Sequence, residues 1–459
     1  MQRRWRQQVF QARLLTMAHK QGFMIAGTET DRLLKLARAH LPGGGIWTFS
    51  TRPTGFNSTL DSPDFLIDRG AGAFVWTTDG EKLLDVVLAA GTVLVGHGHP
   101  KVIAAVTAQV ARGSNYSHLC PPVVELAARL CALVPCAEKV RFFNSGTEAW
   151  GVALRVLRAR SGRDTILKFE GAFHGGNDAT LFNSNYGDIS TWAPAPSATR
   201  DSPGIAQSEH TNILVAPYDD VVTTRRIALA HRANIAAILV EPLMRGIAAQ
   251  PGFLEGMRAL ADELQVPLVF DEVATGFRLG LGGAQAFYGV TPDMAVFGKA
   301  LGSGYPIGVI AGSEEVMLPL DPAAPNGTRV VAEGSTIANP LSATASLATL
   351  EILGQPGVYK QLHDWGKRLG EGLVEAFACH GHTIQLTGVG PHVEFYVSDV
   401  PIFDYRAAQR TNLHLKGVLA RGMRAQGVFG GGGRYNCSLA HGDNELAQIL
   451  TAVKEILAK

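Results

Sequence analysis

Leu268-Val269-Phe270-Asp271-Glu272-Val273-Ala274-Thr275-Gly276-Phe277-Arg278, followed downstream by Phe297-Gly298-Lys299-Ala300-Leu301-Gly302, decides the reading of this chain. The apolar run 266–270 reads as a buried strand with Asp271 at its C-terminal end, where open α/β sheets collect their ligands. A carboxylate there can keep a pyridine nitrogen protonated. Lys299 also follows an apolar stretch, and the glycines beside it let a flat ring approach the backbone. Burial favours its neutral amine, the form that condenses with an aldehyde to a Schiff base. Taken singly, the residues have ordinary explanations as a turn carboxylate and a loop lysine. Taken together, they are the two parts that pyridoxal-phosphate (PLP) chemistry requires.

Outward from this pair, 140–143, 165–169, 237–240 and 294–297 read as further strands, separated by segments long enough for crossover helices. That alternation predicts a mostly parallel sheet. Upstream, a helix over 31–39 stops at Leu41-Pro42-Gly43-Gly44-Gly45, and turn-rich sequence to about 63 is expected to lie over the site. Segments 65–70 and 74–80 predict a small antiparallel sheet, with Asp79-Gly80 as hairpin signal. Beyond Pro340 come Ala-rich helical sequence, a strand near 392–395 and a terminal helix from Glu445. The expected organisation is α/β. It comprises an N-terminal segment with part of a small domain (1–95), a large PLP-binding domain (96–340) and a small α+β domain (341–459).

Size and charge exclude several classes. The chain has 459 residues, 41 basic and 40 acidic, for a formal charge of +1, so no global field favours nucleic acid or an anionic membrane. Its five cysteines lack the CxxC spacing of zinc or redox sites, and no metal is expected. No apolar run approaches the roughly 18 residues of a membrane-spanning helix. Residues 1–28 hold basic but no acidic side chains, a bias shared by organellar transit segments and by amphipathic helices packed on a subunit surface. Serine enrichment is missing, and a cytoplasmic protein is expected.

Asn144-Ser145-Gly146-Thr147-Glu148-Ala149 follows a strand and opens a helix. Such a terminus offers unpaired N–H groups, a positive dipole end and hydroxyl donors to a phosphate, although a plain Ser N-cap would look the same. Phe173, in Phe169-Glu170-Gly171-Ala172-Phe173-His174-Gly175, supplies a flat apolar face after another strand. Val273 lies two residues beyond Asp271 and, in extended chain, points to the same side.

These segments, with Gly304-Tyr305-Pro306-Ile307-Gly308, resemble the motifs of the class III aminotransferases of PLP fold type I, from about Leu41 to the C-terminus. The resemblance implies PLP held by Ser145, Gly146 and Thr147 at the phosphate, with Phe173 and Val273 on opposite ring faces. It also implies that His174 and Glu241 lie near the cofactor, with Asp271 at the ring nitrogen and Lys299 as the Schiff-base lysine. Gly334-Ser335-Thr336-Ile337-Ala338-Asn339-Pro340 is similar to a segment that reaches the phosphate of a neighbouring subunit, through Ser335 or Thr336. A homodimer with shared sites follows.

Lys168-Phe169-Glu170-Gly171, Gly283-Ala284-Gln285 and Ser438-Leu439-Ala440-His441 resemble the branch containing glutamate-1-semialdehyde 2,1-aminomutase. The substrate side departs from that enzyme. Gly45-Ile46-Trp47-Thr48-Phe49-Ser50 replaces a polar stretch ending in Arg, which makes Trp47 a candidate substrate contact, and Gly433 stands where the aminomutase has Glu. Arg434, beside Gly433, has the spacing of an aminotransferase arginine that binds a donor carboxylate; otherwise it is a solvated surface residue. Following the tetraglycine 430–433, it reads as free to move, and Arg245 is the next basic candidate. The stretch 243–247 lacks the Glu that often pairs with such an arginine, so carboxylates are expected on both substrates. The resulting reading is an aminotransferase moving an amino group from an amino acid donor to a keto acid, aldehyde or ketone acceptor. An aminomutase is disfavoured by the departures just described, and a catalytically idle binding protein by the presence of both Lys299 and Asp271.

Overall fold

The structure is a computed structural model describing residues 28–45, 65–184 and 196–459. The basic N-terminal stretch and Trp47 lie outside the described residues. Thr28 and Asp31 form a capping box for the helix Glu29–His40, slightly longer than the predicted 31–39. Strands β1 (Ile67–Ala71), β2 (Phe74–Thr77) and β3 (Lys82–Asp85) then form an antiparallel meander, the last turn containing Asp79-Gly80.

Seven strands make the central sheet: β4 (Lys139–Phe143), β5 (Thr165–Phe169), β6 (Ile213–Ala216), β7 (Ile235–Val240), β10 (Leu268–Asp271), β11 (Met294–Phe297) and β12 (Gly308–Gly312). Between β7 and β10 lies a short hairpin, β8 (Leu243–Met244) and β9 (Ile247–Ala248). The spatial order is β4-β12-β11-β10-β7-β5-β6, with only β12 running against its neighbours. Every residue of β5, β7, β10, β11 and β12 is buried. Alternation then splits the core between the two faces. Leu167, Ile238, Phe270 and Phe297 join one apolar cluster, and Ile166, Leu239, Val269 and Val296 the other.

Two of the seven, β6 and β12, are absent from the sequence reading. Gly308 opens β12, and a Cβ there would stand 2.1 Å from the Ser145 carbonyl oxygen. The glycine therefore allows close passage of a strand, a requirement that its own segment does not reveal. Helix Pro340–Leu353, started by Pro340 behind the Asn339 cap, delivers Ala343, Leu350 and Leu353 to the same cluster as β10.

Strands β13 (Ile384–Leu386), β14 (His392–Val397) and β16 (Arg434–Asn436) form a second sheet, while β15 (Val428–Phe429) joins the N-terminal meander beside β3. Leu84 thus shares a third cluster with Phe377, Phe395, Met423, Tyr435 and Ile449, so both ends of the chain build the small α+β unit. Among the described residues, no helix is long and apolar enough to cross a membrane.

One buried cation shapes the ground beneath the site. Lys168 of β5 is fully buried, and its Nζ lies 2.8 Å from Ala172 O, 2.9 Å from Thr180 O, 2.6 Å from Phe182 O and 2.8 Å from Ser184 Oγ. It ties down the loop that carries Phe173 and His174. Lys168→Met should leave three carbonyls without this donor and destabilise the fold by about 3–5 kcal/mol in a urea titration. A change below about 1 kcal/mol would mean that the loop is held by other contacts.

Candidate active site

The C-terminal ends of five parallel strands, β4, β5, β7, β10 and β11, converge on one region. Asp271 is the last residue of β10 and is buried. Its Oδ2 accepts from Trp150 Nε1 at 2.8 Å and lies 2.8 Å from His174 Nδ1, while Oδ1 accepts from the Val273 N–H at 3.0 Å. Burial pushes the Asp271 carboxyl upward, opposed by the Val273 N–H, the Lys299 charge and the Trp150 N–H. A cation placed at its free edge would offset that cost.

Val273 does not continue an extended chain as the sequence reading expects. A turn begins at this residue, closed by its own N–H on Asp271, and the side chain packs where a Cβ on Gly146 would lie 3.2 Å away. Val273 therefore sits between the Gly146 helix start and Gly298, reached through a turn of the kind Asp side chains favour.

His174 is fully buried, and burial, reinforced by the Lys168 charge, drives its pKa down to about 3. The ring is neutral and donates through Nδ1 to the Asp271 carboxylate, leaving Nε2 without a partner among the described residues. Glu241 follows β7 and accepts from the Phe173 N–H at 2.8 Å and the Arg245 N–H at 3.2 Å. Phe173 keeps an accessible ring, 39% exposed, with the Arg245 guanidinium 5.7 Å from its centre.

Ser145 caps the helix Gly146–Ser161, accepting from the Glu148 N–H at 3.2 Å. The N–H groups of Gly146 and Thr147 fall in the first turn, where a helix has no acceptor for them. Thr147 Oγ1 accepts from Gly176 N at 3.1 Å, which joins this helix start to the aromatic loop. Lys299 follows β11 in a tight turn with φ of +41° and is half-buried. Protein atoms crowd its amine and push its pKa down, against the pull of Asp271 and with the help of Arg434. The neutral amine, the nucleophilic form, is thereby favoured.

Ser335 and Thr336 are exposed, and the chain there is held by Asn115 Nδ2 donating to Ser335 O at 2.7 Å. On the small-unit side, the tetraglycine is not an open hinge. Gly430 to Gly433 are buried, and Gly433, at φ of +143°, passes so close to Lys416 that a Cβ would stand 2.1 Å from Cε. Arg434 begins β16 opposite Glu394 of β14, with Nε 2.6 Å from Glu394 Oε2 and Nη2 2.6 Å from Arg245 O. The sequence reading finds no carboxylate partner for Arg434 in 243–247; the fold supplies one from elsewhere, Glu394, through strand pairing. Gly246 abuts it, since a Cβ there would lie 2.8 Å from Glu394 Cβ. Arg245 itself donates from Nε to Gly171 O at 2.8 Å and from Nη2 to Ser184 O.

Trp150 and Glu394 escaped the sequence reading. Trp150 carried a usable signal, because it lies just over one turn after Ser145 and a buried indole N–H requires an acceptor. A half-buried amine, a strand-end carboxylate with donors on both oxygens, an accessible aromatic face and a helix start with unused N–H groups together fit a flat, phosphorylated pyridine ring.

The family model for aminotransferase class III matches residues 57–425, and the chain belongs to that family. It is a PLP-dependent transaminase. An omega-transaminase from Sphaerobacter thermophilus is 30% identical, with a TM-score of 0.85 over 94% of this chain and 98% of that one. A β-phenylalanine aminotransferase from Variovorax paradoxus is 26% identical, with a TM-score of 0.80 over 94% and 93%. A glutamate-1-semialdehyde-aminomutase from Pseudomonas aeruginosa PAO1, at 21% identity and a TM-score of 0.81 over 94% of each chain, shares the fold.

Trp150→Phe removes one of the two donors on Asp271 Oδ2 and shifts the carboxyl toward its neutral form. PLP affinity, measured by fluorescence titration, should weaken by about 1–3 kcal/mol. An unchanged dissociation constant would mean that the indole N–H has no part in holding the cofactor.

Proposed function

We propose that this transaminase takes its amino group from a carboxylate-bearing donor, with Lys299 as proton carrier and Arg434 as carboxylate clamp. PLP, when bound, supplies an electrophilic carbonyl and a ring that takes up electrons. Lys299 Nζ removes the proton from the donor's amino-bearing carbon and later returns it on the cofactor side. Asp271 keeps a proton on the ring nitrogen, and His174 and Trp150 hold that carboxylate ionised. Phe173 and Val273 would hold the ring, and Ser145, Gly146 and Thr147 would hold its phosphate with backbone and hydroxyl donors. Glu241 positions Phe173 through its backbone N–H. Arg245, engaged with two carbonyls, steadies the aromatic loop beneath the substrate.

The observation that carries this reading is the Arg434–Glu394 pair at 2.6 Å, close enough to Lys299 for its charge to act on the amine. A guanidinium parked on a carboxylate can exchange it for a substrate carboxylate, and can stay parked when an uncharged group enters. Acceptors without a carboxylate at that position are therefore included, which widens the sequence-based expectation of two carboxylate substrates. The exposed hydroxyls of Ser335 and Thr336 support a homodimer in which each chain completes its partner's phosphate site. Five free thiols support a reducing, cytoplasmic setting.

Lys299→Ala should abolish the visible absorbance of the lysine-bound cofactor together with turnover; retention of both would overturn the assignment. Arg434→Ala should slow the half-reaction with an α-amino acid by roughly 2–4 kcal/mol, about 30- to 1000-fold, relative to an amine lacking the carboxylate. Equal slowing of both donors in stopped-flow traces would reduce Arg434 to a structural residue.

A further inference from the structure

Behind Arg434 stands a second cation that the chemistry above does not use. Lys416, on the helix Leu413–Ala425, has a side chain only 3% exposed, with Nζ 3.3 Å from Glu394 Oε1. Glu394, 4% exposed, therefore gives one oxygen to Lys416 and the other to the 23% exposed Arg434. The lysine is fitted into place. Its Nζ lies 4.0 Å over the Tyr396 ring, and its stem runs where any residue but glycine at 433 would collide with it. Burial pushes the amine down from its ordinary range, opposed by Glu394.

A single buried carboxylate needs only one cation for balance, and Arg434 is the nearer. The second matters when Arg434 leaves. If Arg434 turns to a substrate carboxylate, Glu394 loses its shorter ion pair inside the protein, and an uncompensated buried charge is strongly unfavourable. We propose that Lys416 is a positioning residue that keeps Glu394 compensated, so that Arg434 can exchange between Glu394 and the substrate carboxylate. This inference rests on the reading of Arg434 as the clamp. Without Lys416, the released state of Arg434 becomes rarer, and the affinity for a carboxylate ligand falls by the same factor. A ligand without a carboxylate leaves Arg434 parked and escapes that factor.

The test uses the PLP-loaded enzyme and two probes: glutarate, an unreactive dicarboxylate, titrated by calorimetry, and 1-phenylethylamine, followed as a half-reaction. Lys416→Met should weaken glutarate binding by roughly tenfold or more relative to its effect on the amine's apparent affinity. Equal loss with both probes, or none with glutarate, would overturn the proposal. Lys416→Met combined with Glu394→Gln removes both buried charges, and so remains informative where the single variant fails to fold. Measured against Glu394→Gln alone, the pair should leave glutarate affinity unchanged; a further tenfold loss would mean that Lys416 acts on the ligand directly, and would also overturn the proposal. Arg434→Ala separates the two levels. If it leaves glutarate binding intact, the clamp reading itself fails. If it removes binding while Lys416→Met does not, only the role of Lys416 fails.

Discussion

A buried carboxylate with hydrogen bonds on both oxygens, Asp271 at the end of β10, is the constraint around which the site is arranged. Keeping it ionised in a crowded interior requires donors from outside its own strand. Trp150 comes from the helix after β4, His174 from the loop after β5, and the Val273 N–H from the turn that ends the strand. Glu272, next in sequence, turns the other way. It accepts from the Ala284 N–H at 2.7 Å, the Gln285 N–H at 3.0 Å and Thr275 Oγ1 at 2.6 Å. Two consecutive acids thus divide the work: one faces the ligand region and the other fastens the following helix to the sheet.

The supports beneath the site follow a related physical rule, that most buried polar groups are hydrogen-bonded. Lys168 is the clearest case, because its ammonium gathers the carbonyls of a loop that would otherwise expose them to an apolar core. Thr147 and Gly176 stitch that loop to the helix start that would receive a phosphate. The surface proposed to face the cofactor is therefore hydrogen-bonded at its centre, with Phe173 offering its accessible face while its backbone N–H donates to Glu241.

The substrate side is built differently. Arg434 bridges the small unit, through Glu394, and the large one, through the Arg245 carbonyl. Its bonds are made at the boundary of the two cores and, unlike those of Asp271, to partners that a carboxylate ligand could replace. A hydrogen-bonded centre flanked by an ion pair that a ligand could exchange fits the proposed use of one site by two substrates in turn.

The local sequence was sufficient to place candidate residues that lie at a strand end or a helix start. Asp271, Lys299, Phe173 and the Ser145 cap are legible because a short apolar run followed by a polar residue or a glycine already states its own geometry. The parallel sheet follows from the alternation of such runs. Other features required the folded chain. The antiparallel insertion of β12 and the need for Gly308 depend on Ser145, far away in sequence. Trp150 becomes a partner of Asp271 only when two crossover units pack together. The tetraglycine reads as flexible in isolation and proves to be tightly packed, since what it accommodates is a lysine from another helix. Glu394 reaches Arg434 through the β14–β16 register, which no motif encodes. Residue type and local period thus determined the strand ends and the candidate residues that stand on them. Long-range strand pairing and burial decided which charges face one another at its rim, because a charge inside a protein is defined by neighbours that only the fold brings within reach.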